Sequence, residues 1–321
     1  MGLFRRRNNN ESVGGRKTKI LFTSDIHGSE TAFRKFLNAG QMYGVDALII
    51  GGDIAGKNLV PIVHRGETYL LNGKEIHNLN RAIEEFRKSG TYYSVMSQKE
   101  YEEVASDKRK QRALFDELMK DSLRRWSEIA EEKLGKKIPL YVNLGNDDPE
   151  FLFQVMGETE TMRRCEGNII ELGGSEMISL GYVNPTPWKT PRELTEEQIE
   201  STLVKEVEKL GNVERAIFNL HAPPYGTSLD NAPMLNGELK PVVKGMDVVL
   251  THVGSSAVRR VIHRYQPMLG LHGHIHESRG FDKVGRTVII NPGSEFSRGI
   301  LHAALILLEE SKVSGYQLIT G

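Results

Sequence analysis

Cysteine is almost missing from this 321-residue chain, with Cys165 standing alone. A lone thiol excludes an internal disulfide and fits a reducing, cytoplasmic setting. Excess charge is missing too: 42 Lys and Arg balance 42 Asp and Glu. No global field therefore draws the chain to nucleic acid or to an anionic membrane surface. Long apolar runs are also absent, and none approaches the roughly 18 residues needed to span a bilayer. Arg5-Arg6-Arg7 is followed by Asn8-Asn9-Asn10-Glu11, where a secretory signal would place an apolar stretch. Residues 1–16 read as a disordered basic tail. Internal repeats are not found.

What is present is alternation. Short apolar runs (Lys19 to Thr23, Ala47 to Ile50, Pro139 to Leu144, Ala216 to Leu220, Pro267 to Leu271, Thr287 to Ile290) alternate with amphipathic helical patterns. That argues for α/β layering. Residues 17–321 read as one domain with 57–138 inserted in it. The insertion carries a hairpin signal at Asn72-Gly73, then helical stripes, the longer one running through Phe115, Met119, Ser122, Trp126 and Ile129. It reads equally as a helical layer on the sheet or as a helical cap over a site. A first helix is expected over Glu30 to Asn38 with Gly40 as its stop. Thr195 with Gln198 forms a capping box opening a later helix.

Chemistry collects where the strand signals end. Asp25-Ile26-His27, Gly52-Asp53, Gly145-Asn146, His221 and Gly273-His274-Ile275-His276 each follow an apolar run. Side chains two apart on extended backbone point the same way, so His274 with His276, or Asp25 with His27, can offer two ligands to one point. In open α/β sheets ligands bind at the carboxyl ends of strands. Imidazole with carboxylate suits Mn, Fe, Zn, Ni or Co rather than calcium. Singly, each of these residues has an ordinary turn or core explanation. Seven in this arrangement are hard to assign to chance.

These five blocks, in this order, resemble the calcineurin-like metallophosphoesterases over roughly residues 18 to 310, apart from the insertions. The resemblance implies a four-layer α-β-β-α sandwich with two divalent metal ions at its strand ends. It places Asp25, His27 and His276 on one ion, Asn146, His221 and His274 on the other, and Asp53 between them. It implies a phosphoester hydrolase, and within that class a phosphodiesterase, using a metal-bridging hydroxide as nucleophile. The expected substrate is a small soluble ester.

One departure stands out. The family's third block is Gly-Asn-His followed by an acid, and this chain has Asp147 where that His would be, followed by Asp148. An ionised carboxylate repels a phosphate and cannot protonate a leaving group. Asp147 and Asp148 are the candidate acids that remain, and weakened leaving-group protonation is expected. His252, Asn291 and Ser294 are candidate substrate contacts because they follow strand signals, whereas His272 alternates with the ligand pair and should face away. Two other readings compete. One is a non-catalytic scaffold on the same fold, against which all seven ligand positions are filled. The other is a nuclease using Lys108, Arg109, Lys110, Arg112, Arg124 and Arg125; interleaved acids favour a solvated helix face instead.

Overall fold

The computed structural model describes residues 17–158, 160–309 and 312–321. The expected N-terminal tail lies outside the described residues. In chain order the first part comprises β1 (Lys17–Thr23), α1 (Glu30–Tyr43), β2 (Ala47–Ile50), β3 (Asn58–Arg65), β4 (Thr68–Leu71), β5 (Lys74–Ile76), α2 (Leu79–Ser89), β6 (Thr91–Ser97), α3 (Gln98–Ser106), α4 (Lys108–Leu134) and β7 (Leu140–Val142). There follow α5 (Leu152–Met156), β8 (Met162–Arg164), β9 (Ile170–Leu172), β10 (Ser175–Leu180), α6 (Glu196–Val207), β11 (Ile217–Leu220), β12 (Asn231–Pro233), β13 (Val243–Lys244) and β14 (Asp247–Val248). The chain closes with β15 (Leu250–His252), α7 (Ser256–Tyr265), β16 (Leu269–Leu271), β17 (Gly280–Val284), β18 (Thr287–Asn291), β19 (His302–Glu309) and β20 (Lys312–Thr320).

Two six-stranded sheets carry the fold, ordered β20-β19-β1-β2-β7-β8 and β17-β18-β16-β11-β10-β9. Their central strands run parallel; antiparallel strands close both edges of the second sheet and the β20 edge of the first, whose other edge strand, β8, is parallel to β7. The mixed α/β class is the expected one. Strands buried on both faces need continuous apolar runs, which is why Ala47–Ile50 reads Ala-Leu-Ile-Ile.

The period of two sorts side chains between layers. Ile20, Phe22 and Ile49 meet Ile217, Leu269 and Ile290 in one core cluster shared by the two sheets. Their neighbours Leu21, Leu48 and Ile50 turn the other way, onto Phe33, Phe36 and Trp126 of α1 and α4. Phe33 and Trp126 stack at 4.3 Å between centroids. On the second sheet Ile178 and Phe218 pack with Ile199 and Leu203 of α6 and Val258 and Ile262 of α7. Each fully buried large apolar side chain contributes about 1.5–3 kcal/mol relative to exposure.

Several boundaries differ from expectation. The first helix does not stop at Gly40; it runs to Tyr43, and Gly44 (φ 57°) caps it. Gly40 is buried on the helix face, where a side chain would strike Leu48. The capping box at Thr195 and Gln198 is present. Residues 57–138 are not helical throughout: β5-β4-β3-β6 form a sheet of their own. These strands are half exposed and β3 contains Pro61, so they lack the alternation that marks a strand. The second half of α4 belongs to the main core through Met119, Leu123, Trp126, Ile129, Ala130 and Leu134. Among the described residues no helix is long and apolar enough to cross a membrane.

Candidate metal centre

The two sheets point the carboxyl ends of β1, β2, β7, β11 and β16 at one place. Asp25, His27 and His276 bring ligand atoms within 4.8 Å of one another, and Asp53, His221 and His274 do the same. His27 Nε2 lies 3.1 Å from His276 Nε2, and His276 Nε2 lies 3.3 Å from Asp25 Oδ1. Asp53 Oδ2 stands 3.6 Å from His27 Nε2 and 3.5 Å from His221 Nε2. It therefore faces both groups.

The backbone is bent to achieve this. Asp25 (φ 56°), His27 (φ 38°), Asp53 (φ 49°) and His274 (φ 67°) all sit in the left-handed region, at about 1–2 kcal/mol each for an L residue. Loop-to-loop hydrogen bonds hold those bends. Asp25 N donates to Gly52 O at 3.0 Å and His27 N to Asp53 O at 2.9 Å. His274 N donates to both oxygens of Asp25 at 3.1 Å. The motif glycines have a matching reason. A Cβ on Gly52 would strike His221, one on Gly145 would strike Asp53, and one on Gly273 would strike Asp25.

Charge is set by burial and by neighbours. Burial alone disfavours ionising Asp25 and Asp53, yet His221 above all, with His276 beside Asp25, holds both carboxyls well below the usual range. Burial drives His27 down to about 3 and His274 down to about 4, so both present neutral rings. His221 goes the other way: burial would lower it, but Asp53 and then Asp25 raise it to about 9. Buried His27 Nδ1, both ring nitrogens of His221 and Asn146 Oδ1 have no hydrogen-bond partner. Unpaired buried acceptors are costly. The neutral imidazoles of His27 and His274, two carboxylates and an orphaned amide oxygen fit divalent cations, and a cation can replace the proton that the carboxylates hold on His221. These side chains could hold two such ions.

Asn146 Nδ2 donates to Thr190 Oγ1 at 3.1 Å, which leaves its oxygen as the free end. Asp147 N donates to Asp53 Oδ1 at 3.0 Å. The Asp147 carboxylate approaches His27 and Asp53 and pairs with the ammonium of Lys57. Burial and Asp53 push Asp147 upward despite Lys57. Lys57 itself is raised, because Asp53 and Asp147 outweigh its burial.

One expected role needs correction, and three other candidate residues have structural partners. Asp148 is not a catalytic acid facing a substrate: it is fully buried and accepts from Ile54 N at 2.9 Å, Ala55 N at 2.8 Å and Gly145 N at 2.8 Å. Burial and Asp53 push it up to about 7 against those donors. Asn291 is buried and ties down the ligand loop, its Nδ2 donating to Ile275 O at 2.9 Å. Ser294 Oγ donates to Asp25 O at 2.6 Å, while Ser294 N donates to His276 O at 3.2 Å. It joins the two ends of one ligand group. His252 is committed at 2.8 Å to Asp230, which also receives the amides of Gly226, Thr227 and Gly254. His272 faces away as expected, its Nδ1 on the carbonyls of Leu220 and Ala222.

Sequence reasoning missed Lys57, Thr190 and Phe296, whose ring lies 4.6 Å from that of His27. It also missed the buried pair of Arg192 and Glu166 behind the Asn146 loop. None of these follows a strand signal.

An α/β fold with a cluster of this composition at its strand ends defines a protein with a candidate metal centre. The model of the calcineurin-like phosphoesterase family matches residues 18–278, and the chain belongs to that family. It is similar to an uncharacterized protein of Methanocaldococcus jannaschii, 35% identical over 151 residues. That stretch is 46% of this chain and 61% of the relative, so the chain spans about three fifths of that relative's length. Two solved structures share the fold over 95% of this chain and 99% of theirs. One has a TM-score of 0.57 at 17% identity, and the other, a Thermus thermophilus protein, has 0.51 at 16%.

Proposed function

We propose that this chain is a phosphodiesterase with a two-metal centre, favouring soluble esters with good leaving groups. The observation that carries the reading is Asp53, whose single carboxylate faces both ligand groups. Asp25, His27 and His276 would hold one ion; Asn146, His221 and His274 would hold the other. Bound there, divalent ions such as Mn, Fe, Zn, Ni or Co would supply Lewis-acid charge to phosphoryl oxygens and acidify water.

The chain's own residues set the preference. Only two carboxylates stand among the ligands, so the site keeps net positive charge for an anionic ester. Asp147 is engaged by Lys57, and no imidazole occupies its place. Leaving-group protonation is therefore weak, and acidic leaving groups are favoured. The basic helix face does not support a nuclease: Arg112 pairs with Asp116 at 2.9 Å, Arg124 with Glu158 at 2.9 Å and Arg125 with Glu30 at 2.8 Å. The lone Cys165 is buried, and that burial pushes its thiol up to about 12.

The test is a panel of aryl phosphodiesters of graded leaving-group pKa, run with Mn²⁺, Ni²⁺, Co²⁺ and Mg²⁺. Turnover should rise steeply with leaving-group acidity, and Asp147→His should flatten the slope by recovering part of the about 10²–10⁴-fold that acid catalysis supplies. Absence of hydrolysis with every metal, or identical slopes for the two proteins, would refute the reading.

A further inference from the structure

We propose that Lys57, aimed by Asp147, is the cation that grips the non-bridging phosphoryl oxygens of the substrate. This rests on the phosphoester reading and adds a contact outside the ligand set.

Two adjacent acids on the loop after β7 hold two successive parts of the loop after β2. Asp148 takes the amides of Ile54 at 2.9 Å and Ala55 at 2.8 Å. Tyr92, from β6 of the insertion, accepts from Gly56 N at 3.0 Å. Three consecutive amides before Lys57 are thus committed, which anchors the start of its side chain. Asp147 then engages the ammonium group, and its own amide is anchored on Asp53 at 3.0 Å. The Asp147 carboxylate lies within 4.8 Å of ligand atoms of His27 and Asp53, so the ammonium stands beside the cluster.

An ammonium has three donors, and Asp147 needs one of them. The Lys57 side chain is 44% exposed, so an anion arriving from solvent can reach the rest. A free lysine would lose rotamer freedom on binding phosphate. Here the loop and Asp147 have ordered it beforehand. The adjacent acids Asp147 and Asp148 thereby divide the work, one holding a side chain and the other a backbone. A lysine that only neutralised Asp147 would also weaken phosphate when removed, by leaving that carboxylate uncompensated beside the site, but its removal would have no effect once Asp147 is alanine.

The experiment is calorimetric titration of inorganic phosphate into metal-loaded protein, with metal content measured first by elemental analysis. Lys57→Met should keep its metal and weaken phosphate about 10–100-fold, the scale of a charge-assisted hydrogen bond. Lys57→Gln serves as a second neutral variant, and Lys57→Arg should return affinity to within about fivefold. In an Asp147→Ala background the Lys57→Met penalty should shrink at least about threefold, because an unaimed lysine contributes less, yet stay above about twofold; a penalty that vanishes there would overturn the contact. Phosphate affinity within about twofold of wild type in fully loaded Lys57→Met and Lys57→Gln would overturn the contact. An equal penalty in both backgrounds would overturn the positioning role of Asp147. Phosphate binding is read without turnover, so failure of the hydrolase reading would appear separately, as a wild type that cleaves no ester.

Discussion

Arg192 and Glu166 form a buried ion pair behind the loop that carries Asn146. Arg192 is 1% exposed; its Nη1 donates to Leu144 O at 2.8 Å and Gly145 O at 3.3 Å, and its backbone N donates to Asn146 O at 3.2 Å. The free oxygen of Glu166 accepts from Gly181 N at 2.5 Å. One guanidinium thus supports the amide ligand from beneath, with the Tyr182 ring 4.2 Å away.

Removing that support should be severe. Arg192→Met leaves the buried Glu166 carboxylate without its cation, at about 3–5 kcal/mol. The urea midpoint should fall at unchanged m-value. Arg192→Lys should recover only part of the loss, since an ammonium cannot serve two carbonyls and a carboxylate in the same fork. Equal midpoints for wild type and Arg192→Met would show the pair to be dispensable.

Metal uptake should release a proton. In metal-free protein His221 is raised from 6.5 to about 9, so near neutral pH it is protonated, and a cation reaching its lone pair must displace that proton. Affinity at the Asp53, His221 and His274 group should rise about tenfold per pH unit until His221 titrates. Calorimetry in buffers of different ionisation enthalpy should read about one proton from His221, with a further fraction from His276, which Asp25 also raises against its burial. The same shift adds stability to the metal-free fold below 6.5 that is lost as pH rises through about 9. Chelated protein should therefore lose this contribution to its melting temperature on going from neutral pH to above that value. Buffer-independent heats would contradict the assignment.

Asp53→Asn and Asn146→Ala should separate by stoichiometry. Asp53 faces both groups, so its substitution should deplete both ions, leaving well under one per chain by elemental analysis. Asn146→Ala should lose only the ion of the His221 group. Identical metal content in the two variants would argue against a bridging carboxylate.

Gly90 sits at φ 72°, and a Cβ there would collide with His27 O. Gly90→Ala should cost more than the about 1–2 kcal/mol of left-handed strain alone and should weaken the ion held by Asp25, His27 and His276. Gly66 is the control, with φ 61° and nothing within 4 Å of an added Cβ. Its alanine variant should show the strain and leave metal affinity alone. Equal thermal shifts in the two variants would remove the role of the insertion in placing His27.

The candidate ligand residues were legible because chemistry at strand ends is a local pattern, an apolar run closed by Asp, His or Gly. Asp25, His27, Asp53, His221, His274 and His276 could be read this way, and the structure gathers them. The supporting residues could not. Lys57, Thr190 and Arg192 lie in connections without periodicity, and their partners are far away in the chain. Asp148 shows the limit most plainly, since a sequence cannot tell an acid aimed at a substrate from one aimed at the amides of Ile54 and Ala55. Of the sheet β3–β6 only the β4–β5 hairpin was legible, at the Asn72-Gly73 turn; its half-exposed strands leave no alternation, and Gly40 misled because it serves close packing on Leu48 as well as glycine elsewhere serves a helix end.

The ligand side chains divide between the two sheets. Asp25, His27, Asp53 and Asn146 follow strands of one, whereas His221, His274 and His276 follow strands of the other. Occupied ions would then rivet the rim of the sandwich shut, linking the first half of the polypeptide to the last. In a protein with one thiol, a reversible inorganic staple would take the part that a covalent cross-link plays elsewhere. Starvation for metal would then loosen the seam between the sheets as well as silencing the site.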